Sequence, residues 1–277
     1  MDKRKFIAAG LVAFTLLYAG VVRSFATELM SPATQLGEKK LHAEVYYRHV
    51  MKQKLTLDVS QTGSFRVGNS TFSSNSASEL EAEGSGNGVM SKVSFQPFDT
   101  PIQYYLVGGA GHFDLKLPSG TYSNKHATDN PGYILGGGIK YTLVPYTVVT
   151  PAVSLDISAT HSRYKLTSFT SGDGRTVGAI NQEFTIFEIQ GAATVSKKFL
   201  FDLAGEKASV DPYLGVKVIR TRTNLDDNSA GGHYSGTKTD IAPFFGIKFK
   251  PFPYQGLVIE GSVLSELSAA VGLTLGF

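Results

Sequence analysis

The sequence contains no cysteine and no tryptophan among its 277 residues. Without cysteine the protein can form no disulfide and can use neither thiol chemistry nor a cysteine-based metal site. Charged residues make up only 18% of the chain, whereas about a quarter is typical of soluble domains. Long apolar runs are also scarce, because no segment beyond the N-terminus approaches the roughly 20 apolar residues that a membrane-spanning helix needs.

The N-terminus has the organisation of an export signal. Three basic residues at positions 3–5 precede an apolar run from Phe6 to Val22, and the small residues Ser24 and Ala26 follow it. This pattern predicts a cleaved signal peptide over residues 1–26, with a retained membrane anchor as the alternative. The four basic residues of this leader, against one acidic residue, account for the whole net charge of +3. The rest of the chain is balanced, so charge gives no reason to expect nucleic acid as a partner.

A two-residue period dominates the chain from about residue 53, and this is the period of a β-strand. In the final stretch "LSAAVGLTLGF" every second residue from Leu267 to Phe277 is apolar, and the residues between them are small or weakly polar. The pattern predicts about ten strands, with eight to twelve as the range. We place them near 53–61, 78–96, 102–117, 131–143, 147–167, 181–197, 208–223, 237–250, 255–264 and 267–277.

The connections between these strands alternate in length. Short turns such as "PFDTP", "VPYT" and "PFPYQ" alternate with long polar segments such as "TGSFRVGNSTFSSNSAS" and "NLDDNSAGGHYSG". Short turns at one end and long loops at the other are typical of an outer-membrane barrel. Strands can cross lipid only when every backbone polar group is paired, which requires closure into a barrel. A soluble sandwich or lipocalin-like barrel is the alternative.

The leader, the sorted loops and the terminal "AVGLTLGF" resemble those of Gram-negative outer-membrane β-barrel proteins. The resemblance implies an all-β, transmembrane, antiparallel up-and-down barrel over residues 53–277, placed in the cell outer membrane. It also implies lipid as surroundings and the barrel-assembly machinery as a partner during biogenesis. Residues 27–52 are then a periplasmic segment or an extension of the first strand. The assembly signal would comprise the alternating residues Leu267, Ala269, Val271, Leu273, Leu275 and Phe277.

Charged residues of both signs alternate with the apolar residues, so we expect them to line the barrel interior as a structural salt-bridge network. Ten strands enclose little more space than eight, which side chains just fill. A wide porin is therefore excluded, and limited passage of small solutes stays open. The expected interior charges are Asp58, Lys92, Asp114, Lys116, Lys140, Asp156, Glu188, Lys217, Asp240, Lys248 and Glu260.

No group of residues predicts a cofactor, a metal or a catalytic site. The "DISATHS" stretch holds His161 and Ser162, but adjacent strand residues face opposite ways, unlike the catalytic pair of lipid-A deacylases. Two predicted loops carry the residue types of the omptin proteases, without their spacing. We therefore expect a non-enzymatic barrel with polar extracellular loops and a structural or surface-interaction role. The alternative is an outer-membrane hydrolase at the extracellular rim. The omptin-like loop residues are His126, Asp129, Asp226, Asp227 and His233.

Overall fold

The computed structural model of the protein describes most of the chain after residue 29. The described ranges are 30–33, 40–59, 63–67, 70–74, 78–97, 100–119, 122–171, 176–203, 205–227, 232–252 and 254–277. The predicted signal peptide lies outside these residues. Within them, no helix has the length and apolar character needed to cross a membrane.

Every regular element in the described ranges is a β-strand, and all pairings are antiparallel. The strands are β1 (Leu41–Val59), β2 (Gly63–Val67), β3 (Ser70–Ser74), β4 (Ser78–Phe95), β5 (Ile102–Ser119), β6 (Tyr122–Ala127), β7 (Gly132–Val144), β8 (Ala152–Thr170), β9 (Thr176–Ser196), β10 (Phe199–Leu203), β11 (Glu206–Asp227), β12 (Gly232–Phe252), β13 (Gln255–Ser262) and β14 (Glu266–Gly276).

Ten of these strands form a closed ring in the order β1–β4–β5–β7–β8–β9–β11–β12–β13–β14. The ring closes because β14 pairs with β1 from His42 to Gln53, and the backbone N–H of Phe277 donates to the carbonyl of Leu41 at 2.9 Å. The predicted ten-stranded up-and-down barrel is thus confirmed. Its first strand begins at Leu41, so residues 41–52 continue the strand that the sequence predicted from residue 53.

The outer surface of the ring carries a belt of exposed apolar side chains, which we call the apolar band. On β14 the band runs from Leu267 to Phe277, about the 9–11 residues that a tilted strand needs to cross a bilayer. The side chains that face inward at the same level are mostly polar or small. One exposed member of the band on each strand is given by Val45, Val93, Leu106, Ile139, Ile157, Ile189, Val218, Phe245, Ile259 and Leu273.

Several strands continue past the apolar band at the end of the barrel that carries the longer connections. In this part, which we call the loop-end extension, the chemistry of the two faces is reversed. The outward residues are charged and exposed, and include Lys52, Glu81, Lys116, Lys165 and Arg222. The inward residues are apolar and buried, namely Leu55, Leu57, Ala82, Phe113, Leu115, Leu117, Tyr164, Leu166, Phe184, Ile186, Leu225 and Tyr234.

The barrel also narrows where the loop-end extension begins. The hairpin of β13 and β14 is short and turns near residue 264. Beyond this turn, toward the longer connections, β12 pairs directly with β1, with Asp58 opposite Ser235. On the other side, β6 replaces β7 between β5 and β8. The ring therefore passes from ten strands to eight, the number whose interior side chains can fill.

A β-bulge in β1 lies at the junction between the two parts. Val50 is opposite Gly86 of β4, but the next pair joins Gln53 to Gly84, so β1 has one extra residue. Even-numbered residues of β1 face inward before the bulge, and Leu55 and Leu57 face inward after it. The extra residue thus allows β1 to turn apolar side chains inward once it has left the band.

Candidate functional site

The barrel interior is the part of the protein where polar and ionisable groups converge. Among the described residues, buried carboxylates and buried cations face the interior in nearly equal number. Seven of the charges expected there are buried and point inward: Lys92, Lys140, Asp156, Glu188, Lys217, Lys248 and Glu260. Asp240 also points inward but stays partly exposed, 3.6 Å from Lys238.

Two of the expected interior charges lie on the other side of the wall. Phe113 and Leu115 face inward on β5, so Asp114 and Lys116 face outward, where the carboxylate of Asp114 lies 3.1 Å from Nζ of Lys125. The expectation was wrong because it assumed one apolar face along the whole strand. Once β5 leaves the lipid-facing band, water lies outside and apolar side chains turn inward.

Asp58 lies beyond the bulge of β1, where the direction of alternation has changed. Its backbone pairs with Glu79 of β4 and Ser235 of β12. Its side chain is outside the described part of the chain. Leu55 and Leu57, which precede it on β1, face inward.

A first group of interior charges lies in the half of the band nearer the short turns. Nζ of Lys248 lies 2.7 Å from a carboxylate oxygen of Glu44. Nζ of Lys92 lies 3.8 Å from the centre of the Tyr105 ring, and the Tyr105 hydroxyl donates to Asp156. Cation, ring and carboxylate thus follow one another around the wall. Such pairing reduces the large cost of burying charge.

A second group lies nearer the loop-end extension. Glu266 at the start of β14 accepts from Arg48 and lies 3.5 Å from Nζ of Lys217, so one carboxylate joins two cations. Glu188 accepts from the Gln53 amide at 2.9 Å and from the hydroxyl of Thr221 at 3.2 Å. These contacts join side chains from separate strands across the interior.

Three members of these groups were missed by the sequence prediction: Glu44, Arg48 and Glu266. The first two lie on β1, in the stretch 27–52 that the sequence left open between a periplasmic segment and an extension of the first strand. Once "LHAEVYYRHV" is assigned to the strand, its alternation places both on the inner face. Glu266 was assigned to the turn before the last strand, although it begins β14.

Glycines give two interior tyrosines the room to lie across neighbouring strands. A Cβ at Gly138 would meet the Tyr105 hydroxyl oxygen at 2.4 Å, and one at Gly246 would meet the Tyr213 hydroxyl oxygen at 2.4 Å. Both rings therefore require glycine on the adjacent strand. Glycine inside a strand commonly marks such a close approach.

Four residues that precede β1 lie inside the barrel. Met30 and Ala33 are almost completely buried. The backbone N–H of Met30 donates to Glu260 at 3.2 Å, and its carbonyl accepts from the Tyr213 hydroxyl at 3.3 Å. Nζ of Lys140 donates to the hydroxyl and the carbonyl of Ser31 and to the carbonyl of Pro32.

The loop-end extension is filled by stacked rings and aliphatic side chains. The Phe113 ring stacks on Phe184, with 4.7 Å between centroids, and on Tyr164 at 5.5 Å. All three side chains are almost completely buried, as are Leu55 and Leu166. At this level, therefore, an apolar core occupies much of the interior, together with the buried polar side chains of Asn124, His126 and Gln182. The charged side chains named above lie on the outer surface.

The residues weighed for hydrolysis do not assemble into a reactive group among the described side chains. Asp156 and Ser162 face the interior, whereas His161 lies on the outer face beside the Tyr133 ring. His126 is buried against Phe169.

The loop residues of this set are also apart. Asp129 is exposed and accepts from Thr167. Asp226 is opposite His233 across β11 and β12, on a part of the wall separated from β6 by β8 and β9. The side chains of Asp227 and His233 are outside the described residues. No group of three potential metal ligands occurs in the described ranges.

The alternating residues of the last strand all face outward. Leu267, Leu273, Leu275 and Phe277 are between 42% and 59% exposed, and Ala269 and Val271 share their face. Glu266, Ser268, Ala270, Gly272 and Thr274 face the interior. The six residues therefore form one continuous apolar stripe at the seam between β14 and β1.

Comparison with known proteins finds likeness only at the level of structure. No family model matches the sequence, and no curated protein matches it. The outer membrane protease OmpT from Escherichia coli shares 12% identity, with a TM-score of 0.49, over 91% of this chain and 100% of that one.

Two autotransporter structures are also similar. The translocator domain of NalP from Neisseria meningitidis shares 9% identity, with a TM-score of 0.43, over 87% of this chain and 90% of that one. The transport unit of AIDA-I from Escherichia coli shares 10% identity, with a TM-score of 0.41, over 97% and 98%. At such identities and TM-scores the likeness extends no further than the general fold.

Proposed function

We propose that the protein is exported to the outer membrane and acts there as a non-enzymatic barrel with a closed interior, in a structural or surface-interaction role. The observation that carries this proposal is the apolar core of the loop-end extension. A channel needs a continuous water-filled path through the barrel. Here Phe113, Tyr164 and Phe184 stack across the interior where the wall has narrowed to eight strands.

The apolar band supports the membrane location. Its outward residues are exposed on every strand of the ring, and an exposed apolar belt of this extent needs lipid as its solvent. The charged outer face of the loop-end extension then lies in water outside the cell, and the short turns lie in the periplasm. The exposed side chains of the extension, such as Lys165 and Arg222, would be the surface that partners meet.

The interior groups support a scaffold more than a solute path. Arg48 and Lys217 are both engaged by Glu266, and Glu188 is held by neutral donors. A conducting interior would leave such side chains to ordered water and moving ions. The sequence left limited passage of small solutes open. On this proposal such passage does not occur.

Membrane fractionation combined with gel migration tests the location and the fold in the cell. The protein should fractionate with the outer membrane and migrate faster unheated than boiled, because a closed barrel stays compact in detergent. Recovery in the soluble periplasm would overturn the proposal.

Planar-bilayer recording tests the closed interior. The reconstituted protein should give no steady single-channel current, whereas a variant with Phe113→Ala and Phe184→Ala should give brief openings because it removes two stacked rings from the narrow section. Steady conductance by the unaltered protein would contradict the closed interior.

The hydrolase alternative is tested separately with the purified barrel, using peptide substrates and lipid A. We expect no turnover above a heat-treated sample. Turnover that is lost in the Asp226→Ala variant, with the barrel still heat-modifiable, would support an outer-membrane hydrolase in place of the scaffold role.

A further inference from the structure

The segment Met30–Ala33 is held by its backbone and not by strand pairing. Both the N–H and the carbonyl of Met30 have partners on the wall, and the carbonyls of Ser31 and Pro32 accept from Lys140. Pro32 has no N–H that would need a partner. The wall thus binds several main-chain groups of the segment, as peptide-binding sites do.

The three wall residues that hold the segment come from well-separated strands. Lys140 lies on β7, Tyr213 on β11 and Glu260 on β13. In the ring of ten, β7 and β13 are five strands apart in either direction and therefore lie on opposite sides of the barrel. The segment from Met30 to Pro32 consequently spans the interior from one wall to the other.

The wall offers this segment both a polar and an apolar surface. The Tyr213 hydroxyl donates to a carboxylate oxygen of Glu260 at 2.8 Å as well as contacting Met30, so the two wall groups are oriented by each other. The Met30 side chain is 1% exposed and belongs to a buried apolar cluster that includes Val258 and Ala270. Ala33 is fully buried.

The segment can leave without any loss of strand pairing. Its residues belong to no strand, and the closing contacts between β14 and β1 begin at Leu41 and His42. A piece of the hydrophobic core that is part of a strand could not separate in this way. Lys140, Tyr213 and Glu260 would remain on their strands, with their side chains still directed at the volume that the segment had occupied.

We propose that the half of the interior nearer the short turns is a peptide-binding site, occupied in this protein by its own residues Met30–Ala33. The ligand class is an extended peptide with a large apolar residue followed by Ser-Pro-Ala. The bound segment plugs the interior from the short-turn end, while the apolar core closes the opposite end. The same site accepts the segment as a separate peptide when the chain's own copy is removed.

The absence of cysteine makes a direct test available, because any introduced thiol is unique. Thr142 lies on the same face of β7 as Lys140, two residues nearer the short turns, and is buried. A Thr142→Cys variant of the whole chain should react slowly with a small water-soluble thiol reagent. Deletion of residues 30–33 in the same variant should raise the rate about tenfold or more, since local exposure sets such rates.

Addition of a synthetic peptide with the sequence of residues 27–36 should return the rate to the slow value, and a scrambled peptide should not. Ala82→Cys is the matched control, because it is buried in the loop-end extension and should stay protected with or without the segment. An unchanged rate at Thr142→Cys after the deletion, or no protection by the matching peptide, would overturn the proposal.

A second measurement covers the case in which the deleted chain does not fold. In the otherwise complete chain, Ala33→Cys should be protected while Lys207→Cys, on an exposed part of β11, reacts rapidly. Rapid labelling of Ala33→Cys in heat-modifiable protein would show that the segment does not reside inside the barrel.

Discussion

Nζ of Lys248 on β12 lies 2.7 Å from Oε1 of Glu44 on β1, and both side chains are less than a tenth exposed. Two strands, β13 and β14, lie between β12 and β1 in the wall. The ion pair therefore crosses the inner face of the hairpin that these two strands form. A buried pair of this kind is costly to break, because either partner alone is a buried charge without its counterion.

Glu44→Gln should therefore lower the free energy of unfolding by about 3–5 kcal/mol. The measurement is urea unfolding of the refolded barrel in detergent or lipid. The double variant Glu44→Gln with Lys248→Met should lose less than the sum of the single variants, because it removes both charges together. Additive losses would show that the two side chains do not stabilise each other.

Phe113→Ala should destabilise the protein by about 3–5 kcal/mol, because it removes a buried ring from between Tyr164 and Phe184. Phe245→Ala is the control, since that ring is 59% exposed on the apolar band. Thermal unfolding of the two variants should separate them clearly. Equal losses would mean that the loop-end extension lacks a packed core.

Ile157→Arg should cost about 2–4 kcal/mol, because it places a charge on the lipid face near the middle of the band. Glu81→Arg, which also introduces an outward arginine but on the loop-end extension, should change stability by less than about 0.5 kcal/mol. Unfolding measured in lipid vesicles is the test. A similar cost at both positions would contradict the boundary that we draw between lipid and water.

Gly246→Ala should destabilise the barrel by about 1–3 kcal/mol, because the new methyl group would displace the Tyr213 ring from its position across β12. Gly191→Ala is a suitable control, since a Cβ there meets no atom within 4 Å. Urea midpoints of the two variants provide the comparison. If Gly246→Ala is as stable as Gly191→Ala, the Tyr213 ring is not confined as described.

The period of two predicted the strands well because each wall strand has one face toward the interior. Nine of the ten predicted strands lie within several residues of their observed positions, and the first differs because β1 begins at Leu41. In the last strand Leu273 and Leu275 lie outside and Thr274 inside, as strict alternation requires. These features depend on neighbouring residues alone, so the local pattern is sufficient.

The sequence could not show where, along a strand, the surroundings of the outer face change from lipid to water. An apolar residue on a strand faces lipid within the band but faces the interior beyond it, and nothing in "HFDLKL" marks that boundary. Asp114 and Lys116 were misplaced for this reason. The position of Met30 inside the barrel was equally inaccessible, because it depends on Lys140, Tyr213 and Glu260, which are far apart in the sequence.

The bulge between Val50 and Gln53 lets β1 carry one residue more than its partner strand. If β1 passed this point without the bulge and kept all its residues, Lys54 would point into the apolar core and Leu55 and Leu57 would point into water. Met51 and Lys52 both face outward, so removal of either one would leave Val50 and Gln53 two residues apart and both inward. A single-residue deletion at Met51 should therefore be tolerated far better than one at Tyr47, which would reverse the faces of one part of the strand relative to the other.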